Sequence, residues 1–217
     1  MSRHASPRPS RPVASFAVAA ALAVALAAAV ALIAVSPRRA AAQDGASGWE
    51  FRIASGSFVP TGAQRASLKG ASLSAAQLTW TASPALAITG TFGWARSRDL
   101  GTAGSPKVDA LSADLGAEVH GTPWFAGRRV TFRPFAGLGA GTRSYDYLGR
   151  STDATHNLAG YGAIGGELGV GRVGVRLEVR DYVSGFSPLV GSGAAEARND
   201  LYVMVAVRFN RHGAPRR

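Results

Sequence analysis

Residues 173–180 read VGVRLEVR, and residues 201–209 read LYVMVAVRF. In the first stretch Val173, Val175, Leu177 and Val179 alternate with Gly174, Arg176, Glu178 and Arg180. In the second, Leu201, Val203, Val205, Val207 and Phe209 alternate with Tyr202, Met204, Ala206 and Arg208. Successive side chains of a strand leave on opposite faces, so a strict period of two marks a strand with one apolar and one polar face.

The same period recurs upstream. Trp49, Phe51 and Ile53 share one face, with Glu50, Arg52 and Ala54 on the other. Ala76, Leu78 and Trp80 alternate with Gln77, Thr79 and Thr81, and after a turn at Ser83-Pro84 come Leu86, Ile88, Phe92 and Trp94 opposite Ala87, Thr89, Thr91 and Ala95. A fourth segment sets Leu111 to Val119 against Ser112, Asp114, Gly116, Glu118 and His120. A fifth sets Phe132, Pro134, Ala136, Leu138 and Ala140 against Arg133, Phe135, Gly137, Gly139, Gly141 and Arg143, and a glycine-rich sixth sets Leu158, Ile164 and Leu168 opposite Tyr161 and Glu167. No helical period is sustained after residue 43, which speaks against a mixed α/β enzyme fold.

These eight segments are joined by links of two kinds. Short turns fall near 82–85 and 169–172 and a somewhat longer one near 120–130, whereas long Gly/Ser-rich links fall near 57–72, 97–107, 144–156 and 185–199. Long and short links in alternation put all long loops at one end, as an up-and-down antiparallel barrel of the outer membrane requires.

The amino terminus fits an exported chain. Val13 to Val35 carries no charge, Arg3, Arg8 and Arg11 precede it, and small residues at Ala40–Ala42 suit cleavage before Gln43. The expected organisation is a signal peptide over 1–42, a barrel over 43–210 and a basic tail over 211–217. A retained anchor helix is the alternative, weakened because Arg38 and Arg39 would lie on the translocated side. Removing 1–42 removes five arginines and no acid, so the net charge falls from +11 to +6. With it goes most of the case for nucleic-acid binding, because the remaining arginines alternate with acids instead of lining one face. There is no cysteine, which excludes disulfides and thiolate chemistry.

Alternation alone does not say which face meets solvent, since soluble and membrane barrels are mirror cases. Three features favour lipid outside. Small residues and bulky charges mix on the polar face, as a narrow lumen filled by side chains needs. The charges on that face nearly balance, Glu50, Asp114, Glu118, Glu167 and Glu178 against Arg52, Arg133, Arg143, Arg176, Arg180 and Arg208, and enclosed charges must be paired. Trp49, Trp80, Trp94 and Phe209 fall at strand ends on the apolar face, where interfacial aromatic girdles belong.

The final strand LYVMVAVRF resembles the C-terminal assembly signal of bacterial outer-membrane proteins. RPFAGLGAG at 133–141 and GAIGGELGVG at 162–171, leading into VGVRLEVRDY, are similar to the outer-membrane β-barrel domain family of the OmpA/OmpX type. The resemblance covers residues 47–209 and implies an eight-stranded transmembrane barrel in the outer membrane of a Gram-negative envelope, delivered by the assembly machinery through its last strand. Asn210 to Arg217 extend past the Phe at which many members stop, implying that an internal signal is recognised.

Little in the chain suggests chemistry. Gly137–Gly141 lacks the strand-turn-helix setting and Lys-Ser/Thr of a phosphate loop. His4, His120, His156 and His212 show no ligand spacing, so neither metal nor cofactor is expected. His156 with Ser144, Asp146, Ser151 and Asp153 supplies the residue types of a lipid-modifying site at the rim, although Ser and Asp are common in loops in any case.

The leading expectation is a monomeric structural or surface-interaction barrel that contacts outer-membrane lipids and lipopolysaccharide. Arg65, Lys69, Arg96, Arg98 and Lys107 are candidates to meet lipid phosphates. A narrow solute channel and the rim enzyme are the alternatives in function, and a lipocalin-like soluble periplasmic barrel is the alternative in structure.

Overall fold

A computed structural model describes residues 48–126, 130–149, 155–170, 173–186 and 196–209. The expected signal peptide and basic tail lie outside these residues. The described chain is all-β, apart from one turn of 3-10 helix over Gly62–Ala66. Its strands are β1 (Gly48–Pro60), β2 (Ala71–Ser83), β3 (Leu86–Arg98), β4 (Lys107–His120), β5 (Trp124–Ala126), β6 (Val130–Tyr147), β7 (Thr155–Val170), β8 (Val173–Phe186) and β9 (Glu196–Phe209).

All pairings are antiparallel. β1 bonds to both β2 and β9, and the circle closes where β4 bonds to β6. Closure leaves the eight staves without an open edge strand, and of the described strands only the three-residue β5 is paired on one side alone. Eight staves result from nine elements because β4 and β5 both lie along β6, β4 against residues 135–147 and β5 against residues 130–132. The expected link near 120–130 therefore contains a short continuation of the fourth stave. Its interruption has a local cause: Pro123 has no N–H for a ladder, and Pro134 on the facing strand likewise donates nothing. The Pro134 carbonyl still accepts from Gly121 N–H at 2.8 Å.

The strands run further into the expected loops than the apolar pattern does. β1 continues to Pro60, β6 to Tyr147, and β9 begins at Glu196. Alternation persists in these extensions, but several of their outward positions are polar, as at Ser57, Ser144 and Asp146. A period read from hydrophobicity stops where the outward face turns polar, whereas the hydrogen-bonded ladder does not. About 9–11 residues cross a bilayer, so β6 with its 18 rises well beyond one.

The faces are inverted relative to a soluble barrel. Trp49, Phe51, Leu115, Leu138, Leu158 and Leu177 are exposed on the outside, Leu158 to 84%. Arg52, Glu118, Arg143, Arg176, Glu178 and Arg180 are buried within. Trp49 and Trp80 face each other across β1 and β2 with ring centroids 6.3 Å apart. At the same end Trp124 of β5 lies 5.6 Å from Phe132. Trp94 sits towards the long-loop end of β3, with the Arg96 guanidinium 5.2 Å from its ring. Phe209 pairs with Val173 at the backbone, and its side chain lies outside the described residues.

Candidate functional site

The interior is the most organised part of the molecule. Six of the eight staves carry inward charges, at alternate positions, and bring them to a common axis. From the end where β1 begins and β9 ends, Arg208 meets Glu50 at 3.2 Å, Glu50 meets Arg52 at 2.7 Å, and Arg52 meets Glu167 at 3.2 Å. Arg176 then takes Glu167 at 3.1 Å, Glu118 at 2.8 Å and Glu178 at 3.0 Å. Glu178 pairs in turn with Arg180, which meets Asp114 at 2.8 Å. One connected chain of ion pairs thus climbs the lumen.

Neutral side chains add hydrogen bonds to this chain. Gln77 donates to Glu178 at 3.0 Å, and the Tyr182 hydroxyl donates to Asp114 at 2.7 Å. Charges in a low-dielectric interior need such partners.

Above this chain stands an aromatic layer. Phe58, Tyr202, Tyr182 and Tyr161 follow one another with centroid separations of 5.9, 4.9 and 5.1 Å. The Arg143 guanidinium lies 4.2 Å from the Tyr182 ring and 4.4 Å from the Tyr202 ring, and its Nη1 donates to Asp200 at 3.0 Å. Arg143 is fully buried, and cation–π contact strengthens when water is excluded. Small residues make room for this layer: a Cβ on Gly139 would stand 2.5 Å from the Tyr161 ring.

The link after β1 caps the layer. Its 3-10 turn carries Gln64 inward, where the amide donates to the Tyr145 hydroxyl at 3.0 Å, and that hydroxyl donates to Asp200 at 3.1 Å. Leu68 is buried beside it. Asp99 closes the next loop by accepting from Gly101 N–H at 2.8 Å, from the Thr102 hydroxyl at 2.8 Å and from the Tyr147 hydroxyl at 2.9 Å.

Of the eleven charged residues named for the lumen, ten take part in these ion pairs. Arg133 does not: among the described residues it makes no ion pair, and its Nε donates to the Gly121 carbonyl at 3.3 Å, at the break in the fourth stave. Asp200 is a lumen carboxylate that the alternation does not announce: the expected last strand starts at Leu201, whereas β9 begins at Glu196. Tyr161 and Tyr202 lie on the polar face as expected, and the alternation gives no sign that both pack against Tyr182. Continuing the period of β9 backwards through Asp200 and Arg198 would have found that carboxylate.

On the outer surface, Ser144 and His156 are cross-strand partners of β6 and β7, with Ser144 Oγ 2.6 Å from His156 Nδ1. Asp153 and Ser151 lie outside the described residues. Among the described residues no cluster of His, Asp and Glu could hold a metal ion.

No family model matches the sequence, and no curated protein is similar to it. Solved structures are similar in shape. They include the crystal structure of Neisserial surface protein A, at TM-score 0.47 and 13% identity, covering 75% of this chain and 99% of that one. Another is the solid-state NMR structure of outer membrane protein AlkL in DMPC bilayers, at TM-score 0.46 and 15% identity over 84% of this chain and 98% of that one. A third is the crystal structure of the outer membrane enzyme PagL, at TM-score 0.37 and 16% identity over 73% and 99%. Identities this low say nothing of activity.

Proposed function

We propose that the mature chain is an outer-membrane β-barrel of a Gram-negative envelope, a sealed anchor whose outer rim and loops contact lipopolysaccharide or a partner surface without catalysis. The inversion of faces carries this reading. In water a belt of exposed Trp, Phe, Leu and Val around a whole barrel would be an aggregation surface. In lipid it is the matching solvent, and closed barrels are one of only two structures that span it with every backbone group paired.

Filling of the lumen supports a plug over a channel. A solute path would have to part the Arg180–Asp114 and Arg143–Asp200 pairs and displace the capping turn at Gln64.

The pairing of Ser144 with His156 supports a second reading, a lipid-modifying site at the rim. Two features weigh against it. The backbone of Ser144 is engaged in ladders with β4 and β7, so the strand residue itself offers no free N–H to stabilise an oxyanion. Nor does a described carboxylate bond the His156 ring to orient it, as a triad would require.

Cell fractionation tests the location, with the chain expected in the outer membrane and its gel mobility shifting on boiling. Release by osmotic shock would overturn it. Planar-bilayer recording tests the seal, with no stable conductance steps expected.

A further inference from the structure

We infer that Lys69, Arg98 and Lys107 form a binding strip for the phosphate groups of an anionic, phosphorylated lipid in the outer leaflet. This rests on the outer-membrane reading above and narrows it to three residues.

The first observation is a like-charge pair. Arg98 and Lys107 are directly opposite in the β3–β4 ladder, an arrangement that destabilises a sheet unless something anionic lies against it. A third cation adjoins them. Lys69 N–H donates to the Arg98 carbonyl at 3.0 Å, and Leu68 bridges Asp99 one step further on. Three cations therefore sit side by side on neighbouring segments, all exposed.

The second observation is that no carboxylate neutralises the strip: Asp109 and Asp99 are committed elsewhere, and Asp146, opposite Asp109 in the β4–β6 ladder, pairs with none of the three cations. Asp109 is held by Arg96 through two bonds of 2.7 and 2.9 Å. Asp99 is buried and turned to its own loop and Tyr147. Among the described residues no carboxylate comes within 4 Å of Lys69, Arg98 or Lys107. Arg96, which a residue count would include, is already neutralised.

The third is height. On the outward face of β3 the series runs Phe92, Trp94, Arg96, Arg98 away from the apolar belt. The strip therefore begins where the aromatic interface ends, at the level of lipid headgroups. Multiple adjacent donors suit a phosphate, which presents several acceptor oxygens.

Fluorescent lipid A binding to the folded full-length mature chain in non-ionic detergent tests this. Removing both charges in R98Q/K107Q is expected to weaken binding about 25-fold, roughly five-fold per cation. R65Q, on the capping turn, and the charge-keeping R98K should stay near wild type. Dephosphorylated lipid A should bind wild type and R98Q/K107Q alike, and millimolar inorganic phosphate should not compete.

Equal binding of phosphorylated lipid A by wild type and R98Q/K107Q would overturn the inference. So would full competition by inorganic phosphate, which would assign the strip to a soluble anion. Because R98Q/K107Q relieves a repulsion, it should fold; boiling-dependent mobility verifies this. Loss of that mobility shift in wild type would instead break the outer-membrane reading itself.

Discussion

Arg180 and Asp114 meet at 2.8 Å across the middle of the barrel with neither side chain reaching solvent. They come from β8 and β4, staves that share no ladder, so the contact ties opposite walls together through the lumen. Removing one partner leaves a buried charge short of its counter-ion, a loss of about 3–5 kcal/mol. R180M should therefore lower the unfolding free energy in lipid vesicles by about that much. D114L added to R180M should restore part of it, and a urea titration of the four variants measures the coupling.

Tyr161 fills the space that Gly139 leaves. Valine at position 139 would push against the ring and the opposite strand, and overpacking of this kind costs about 1–3 kcal/mol. G139V should destabilise accordingly, and Y161A should relieve the part due to the ring but not the part due to the Leu115 carbonyl, which would stand 2.6 Å from the new Cβ. Additive losses in the same titration would mean that the two positions do not share the space.

The four tryptophans divide by depth. Trp49, Trp80 and Trp124 belong to the end where β1 begins, and Trp94 to the long-loop end. In vesicles with bromines placed at shallow or deep acyl positions, single-tryptophan variants should all quench more strongly with the shallow label, as girdle residues do. A deep-label preference at Trp49 or Trp80 would contradict the girdle.

For the rim reading, H156A should leave the acyl composition of lipid A unchanged in cells that express the chain. A shift in acyl-chain number on mass spectra, absent in H156A, would establish the catalytic alternative.

Much of this architecture is legible in the sequence, and the reason is the period. Arg176, Glu178 and Arg180 on one face of a strand whose other face is Val, Leu and Val already state that charge lies on one side. The eight staves and their closure follow from eight such segments and two kinds of link. What the sequence does not carry is relative register around the barrel. Arg133 has the right face, yet it stands at the height of the stave break and bonds a carbonyl. Asp200 has the right face too, but the apolar run begins only at Leu201, and Asn199 before it is polar. Ser144 and His156 look like members of one loop, and only the β6–β7 register shows that they are cross-strand partners. The 3-10 turn that carries Gln64 into the mouth has no periodic signal at all.

The central claim is that the odd positions of β9 face lipid and the even ones face a sealed interior. The chain has no native cysteine, so single cysteines at 201 through 207 can each carry a spin label in reconstituted vesicles. Oxygen, which partitions into acyl chains, should relax labels at 203, 205 and 207 strongly, and labels at 202, 204 and 206 weakly. A reversed or absent alternation would contradict the inverted barrel.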